Sequence, residues 1–182
     1  MTVMKNLTPV EQKFVLHWGE MGTRWGINRT VAQVHALLFL SKTPLTAEEI
    51  QEQLGVARSN VSNSLKELQT WGIIRRVHMM GDRRDHFESL KDVYEMFRLV
   101  IEERKKREMD PTLLVLRECL AEADKDKSTD AYTRSRLKDM LGFFENTTGF
   151  YDQVKSWPTT TFVKLAGMGA GVGEKWRKLL GF

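Results

Sequence analysis

Between Thr46 and Ser89 the hydrophobic period of this chain changes from helical to extended, and the order of that change limits the fold more than any other feature. Thr46-Ala47-Glu48-Glu49 is a capping box that opens a short helix, and Gly55 closes it. A second helix is predicted from about Arg58 to Trp71, ended by Gly72. Ile73-Ile74-Arg75-Arg76-Val77-His78-Met79-Met80 is then rich in β-formers, Gly81-Asp82 is a turn signal, and His86-Phe87-Glu88-Ser89 resumes an extended pattern. These residues predict a β-hairpin with its tip at 81–84. Helix, short helix, turn, helix, hairpin is the order of a winged helix-turn-helix. The fold class expected is therefore mainly α with a small β-wing.

The flanks read as helices. Thr8-Pro9-Val10-Glu11 places a hydroxyl at the N-cap, proline at the first helical position and glutamate at the third. Val10, Phe14, Trp18, Met21 and Trp25 follow as one apolar stripe, and a helix from about Asn28 to Ser41 carries Val31, Val34, Leu37, Leu38 and Phe39 inward. Val93, Met96, Phe97, Val100 and Ile101 define a further amphipathic face, on a helix expected to stop before Pro111. Helices from Thr112 to about Asp124 and through Leu137, Met140, Leu141, Phe144 and Tyr151 complete the reading. A tail follows in which Gly167, Gly169, Gly171 and Gly173 alternate with small residues. The divisions expected are 1–27, 28–90 and 91–182.

Composition removes several classes of function. The 182 residues are 41% hydrophobic and 29% charged, enough to bury a core. Cys119, the single cysteine, excludes an internal disulfide framework and a cysteine-cluster zinc site, and reads as a buried inert thiol. No apolar run approaches the roughly 20 residues of a membrane span, and the N-terminus carries no secretory pattern, so a soluble cytoplasmic protein is expected. His17, His35, His78 and His86 lack metalloprotease or triad spacing. His78 and His86, with Asp85, could meet across the hairpin, but two histidines on a wing read more simply as polar surface. No enzyme, cofactor or metal is expected.

The informative surface is the helix at 58–71. Val61, Leu65 and Leu68 project within about 60° of one another, and Ser59, Ser62, Asn63, Lys66 and Thr70 lie opposite, with no carboxylate among them. A helix entering a DNA major groove needs short donors and acceptors that reach base edges without repelling phosphates. Asn63 suits a bidentate contact to adenine; Ser59, Ser62 and Lys66 suit phosphates or base edges. Charge is placed accordingly: residues 55–86 hold Arg58, Lys66, Arg75, Arg76, Arg83 and Arg84 against Glu67, Asp82 and Asp85. The candidate DNA-binding set is Arg58, Ser59, Asn60, Ser62, Asn63, Lys66, Arg75, Arg83 and Arg84. Asp82 is expected to orient the wing.

GVARSNVSNSLKELQTWGIIRRV followed by GDRRDHF resembles the MarR superfamily of transcriptional regulators, and within it the GbsR-like branch, over residues 45–90 and more weakly through both flanks. The resemblance implies a helix 58–71 in the major groove of double-stranded DNA and, at Asp82 and Arg84, a wing whose arginine enters the minor groove. Ala57 departs from the Ser or Thr common at that helix's N-cap, so the cap is expected from elsewhere, such as Ser59 with a later start. The resemblance also implies a homodimer through the N- and C-terminal helices and repression relieved by a small ligand. A cationic osmolyte would need an aromatic cage, for which Trp18, Trp25, Phe97, Phe144 and Tyr151 are candidates; their spacing is equally that of a core. The rival class is a winged-helix protein-interaction module that does not bind DNA.

Overall fold

The structure, a computed structural model, describes residues 6–126, 128–161 and 164. It divides into two compact units, residues 1–100 and 101–182. The glycine-rich run 167–173 lies outside the described residues.

In the first unit, helix α1 (Pro9–Arg24) starts at the expected capping box: Glu11 N–H donates to Thr8 Oγ1 at 3.3 Å, and Thr8 N–H donates to Glu11 Oε2 at 2.8 Å. Its inward row differs from the stripe read in the sequence. Val15, Gly19 and Gly22 are buried, whereas Val10 is 78% and Trp25 50% exposed, with Phe14 and Trp18 half-buried at the edge. The reason is close approach. A Cβ on Gly22 would stand 2.5 Å from the Cβ of Ala32, so only the glycine face lets α1 lie against α2 (Arg29–Leu40).

Helix α2 is the hub, buried without interruption from Val31 to Leu38. Its last carbonyls are held by a distant lysine: Lys91 Nζ donates to the carbonyls of Leu38, Phe39 and Ser41 at 3.0, 2.8 and 2.8 Å. A cation at a helix C-terminus both satisfies those acceptors and opposes the helix dipole. Beside it, His35 is buried with Nε2 3.0 Å from Met96 Sδ, and the Trp18 ring lies 6.4 Å from the imidazole.

Strand β1 (Leu45–Thr46) leads into α3 (Ala47–Leu54), whose cap is the second box, Thr46 with Glu49. Gly55, at φ 63°, turns the chain toward α4 (Arg58–Thr70). Strands β2 (Ile74–Val77) and β3 (His86–Ser89) form the hairpin, and β1 joins its other edge in the order β1-β3-β2, all antiparallel. Val34, Leu38, Ile50, Leu54, Val61, Leu65, Leu68, Ile74 and Phe87 close one core around α2. Helix α5 (Val93–Arg104) adds Met96 to that core, with Leu99 and Val100 packed against it. The inward row is thus Met96, Leu99 and Val100; Val93 and Phe97, expected inward, are exposed.

In the second unit the helix does not break before Pro111. A π-helical turn over Lys105–Met109 carries the backbone into α6 (Asp110–Lys125) with Pro111 in its first turn. A proline ring crowds the carbonyl four residues back and offers no N–H; the wider π-turn relieves both. Helix α7 (Ala131–Val154) is capped by Asp130 and returns along α6, tied by Arg117–Glu145 at 2.9 Å and Arg134–Asp124 at 3.0 Å. Cys119 is half-buried on α6, because Leu113, Leu116 and Ala123 take the inward row there.

Candidate nucleic-acid interface

Helix α4 presents the face the sequence pattern describes. At about 100° per residue, Ser59, Asn63, Lys66 and Thr70 point away from the buried row Val61, Leu65 and Leu68, and all four are exposed. Arg58, Ser62 and Gln69 lean toward the hairpin, and Asn60 stands on the opposite flank, also exposed. Glu67 is half-buried beside them. The start of α4 corrects one expectation. Ala57 is the N-cap and no side chain caps it, so the helix does not begin later at Ser59. The first turn is exposed to water, which satisfies its amides without a capping oxygen.

On the hairpin, Arg75 pairs in register with Glu88, Arg76 with Phe87 and Val77 with His86. Successive strand residues face opposite sides of the sheet. Arg76 therefore lines, with Ser62, Lys66 and Arg84, a cleft of about 430 Å³ between α4 and the wing. Arg75 lies on the other side of β2, its guanidinium 2.5 Å from Glu88. Arg76 and Gln69 are the cleft residues that sequence reasoning missed; strand alternation from buried Ile74 is the signal that points to Arg76.

Asp82 and Arg84 are tied together on the wing by four hydrogen bonds. Arg84 donates from its backbone N–H to Asp82 Oδ1 at 2.9 Å, from Nε to both carboxylate oxygens at 3.0 Å, and from Nη2 to Oδ2 at 2.5 Å. These bonds hold the Asp82 carboxyl far below the usual carboxylate range. His86 is buried, only 7% exposed, with Nδ1 donating to the Arg84 carbonyl at 3.0 Å and Nε2 3.5 Å from Asp82 Oδ2. This corrects the surface reading of His86. It sits under the wing opposite Val77, not opposite His78, which is exposed.

The cations are less free than their number suggests. Arg58 pairs with Glu48 at 3.2 Å and Arg76 with Asp85 at 3.2 Å, so two carboxylates from outside α4 also line the cleft. Exposed pairs of this kind are worth about 0–1 kcal/mol, and phosphates can displace them at small cost. Lys66 and Arg83 have no carboxylate partner among the described residues.

Of the aromatic candidates, Trp18 and Trp25 meet edge to face at 6.0 Å, while Phe97 is exposed on α5. In the second unit Phe144 packs on Phe143, and the Tyr151 ring already carries the Lys155 ammonium at 5.9 Å. Burial, with the Glu102 carboxylate nearby, pushes the Tyr151 phenol up to about 12. Among the described residues no three His, Cys, Asp or Glu side chains come together as a metal site, and no helix is long and apolar enough to cross a membrane.

The chain is similar to known proteins. The chain is 21% identical over 134 residues to the HTH-type transcriptional repressor GbsR of Bacillus subtilis (strain 168), covering 72% of this chain and 74% of that one. It is 23% identical over 96 residues to the HTH-type transcriptional repressor OpcR of the same organism, covering 53% and 52%. It thus spans about three-quarters of the first relative and about half of the second. A solved transcriptional regulator superposes with a TM-score of 0.64 at 18% identity, over 81% of this chain and 96% of that one, a likeness of fold. Residues 25–85, from the end of α1 through the wing tip, match the MarR family. Through that winged helix, this chain is similar to the MarR family.

Proposed function

We infer that this protein is a sequence-specific DNA-binding transcriptional regulator that acts as a repressor in the cytoplasm and has no enzymatic role. The observation that carries the reading is α4: a carboxylate-free outward row, Ser59, Asn63, Lys66 and Thr70, beside a wing whose Arg84 is aimed by Asp82. In this reading Asn63 reads a base edge and Ser59, Asn60 and Ser62 meet base edges or phosphates. Arg58, Lys66, Arg76 and Arg83 neutralise phosphates, Arg84 enters the minor groove, and Arg75 adds long-range charge. Two copies, joined through α1 and the helices beyond residue 91, would cover two half-sites about one helical turn apart and exclude polymerase. A small cationic ligand on the aromatic side chains of Trp18, Trp25, Phe97, Phe144 or Tyr151 would relieve repression.

Selection of bound sequences from random duplex DNA tests the reading and returns the operator. One enriched site with two related halves is the expected result. Its affinity should fall about 10³–10⁵-fold between 50 and 200 mM salt, as 6–10 phosphate contacts require. Recovery of no preferred sequence, with no binding to random duplex at low salt, would turn the assignment toward a protein-interaction module.

A further inference from the structure

The wing ends in an apolar point. Asp82 N–H donates to the Met79 carbonyl at 3.1 Å, and Gly81 takes φ 84° at the third position, the pattern of a type II β-turn with Met80 at its corner. Met80 is 105% exposed, as open as a side chain can be, and Met79 is 44% exposed behind it. A single exposed apolar residue is ordinary on a protein surface. This one is set apart by its position, at the apex of a turn, with Arg83, which has no carboxylate partner among the described residues, and Arg84, which Asp82 aims, three and four residues further on. Basic side chains favour the strongly negative minor groove, and a flexible thioether adapts to an irregular apolar gap such as an opened base step. Methionine is among the side chains that wedge into base steps, unstack them and kink the duplex.

We propose that Met80, backed by Met79, is a wedge that enters the minor groove of duplex DNA beside Arg83 and Arg84 and bends the DNA at a flexible pyrimidine–purine step. The proposal rests on the reading of the chain as a DNA-binding regulator and adds to it a contact that is neither base-edge hydrogen bonding nor charge. Met80 touches nothing in the core, so its replacement leaves the fold intact.

The test uses the full chain and the duplex selected from random sequence, labelled at both ends so that energy transfer reports the bend. Met80→Ala should straighten the bound DNA and weaken binding about tenfold, the equivalent of about 1.4 kcal/mol. Met80→Leu should restore both. The Met80→Ala defect should be the same at high and low salt, because apolar insertion is not screened, while Arg83→Ala should lower the salt slope by about one. If wild type binds and Met80→Ala binds and bends equally well, the wedge is wrong and the DNA-binding reading stands. If wild type binds no duplex, both fall. If Met80→Ala weakens binding without changing the bend, Met80 is a surface contact and the wedge is again wrong.

Discussion

Asn63 stands on the part of α4 opposite Val61, Leu65 and Leu68, where its amide can make two hydrogen bonds to one adenine edge. Arg84 stands on the wing with its guanidinium held by Asp82, and in the proposed role this cation would respond to groove width and potential. Removal of the two should have different signatures. Asn63→Ala is expected to cost about 1–3 kcal/mol at the cognate site and relax preference at one base pair. Arg84→Ala is expected to weaken cognate and random duplex more evenly and to lose preference at A·T-rich flanks. Binding of both variants to the operator, its single-pair variants and random duplex decides the matter; uniform loss for Asn63→Ala with altered base preference for Arg84→Ala would reverse the roles. At this scale the sequence was readable where chemistry is local. Asp82 and Arg84 are two residues apart, and their pairing follows from a tight turn. The burial of His86 was not readable, since it depends on Val77 lying across from it and on the Arg84 carbonyl folding back.

Helix α1 is held to α2 by what its glycines lack. Gly22→Ala places a methyl 2.5 Å from Ala32 Cβ, and neither carbon can rotate away. Alanine normally favours a helix interior over glycine by about 1 kcal/mol. Here the clash should win, with a net loss of about 1–3 kcal/mol read as a lower urea midpoint. An unchanged or raised midpoint would mean the two helices have slack. The same contact explains why the face of α1 was misread. Large residues dominate a hydrophobic stripe, and Gly19 and Gly22 carry no apolar signal, although they mark the closest packing. Both capping boxes were legible because each is complete within four residues. Strand β1, two residues long, was not, because only its pairing with β3 makes it a strand. Nor was the π-turn: Pro111 signals a stop, and whether a helix ends or widens there depends on the residues packed around it.

Stability of the whole chain should depend on acid through α2. Burial, reinforced by the Lys91 charge, lowers the His35 imidazole from 6.5 to about 4. A base whose folded value is depressed binds fewer protons folded than unfolded in that window. Its contribution is therefore complete above pH 6.5 and is lost as pH falls toward 4, up to about 3 kcal/mol. His35→Leu should show a shallower decline over this range when both proteins are unfolded in urea at stepped pH. Parallel declines would mean that His35 titrates normally. The Asp82 carboxyl, held by Arg84 far below the usual carboxylate range, does not titrate in this window. The Trp18 ring, 6.4 Å from that imidazole, gives the proton an optical signature. An imidazolium quenches a neighbouring indole far better than a neutral imidazole does. Part of the chain's ultraviolet emission should therefore dim as His35 takes up its proton, before any helix has come apart.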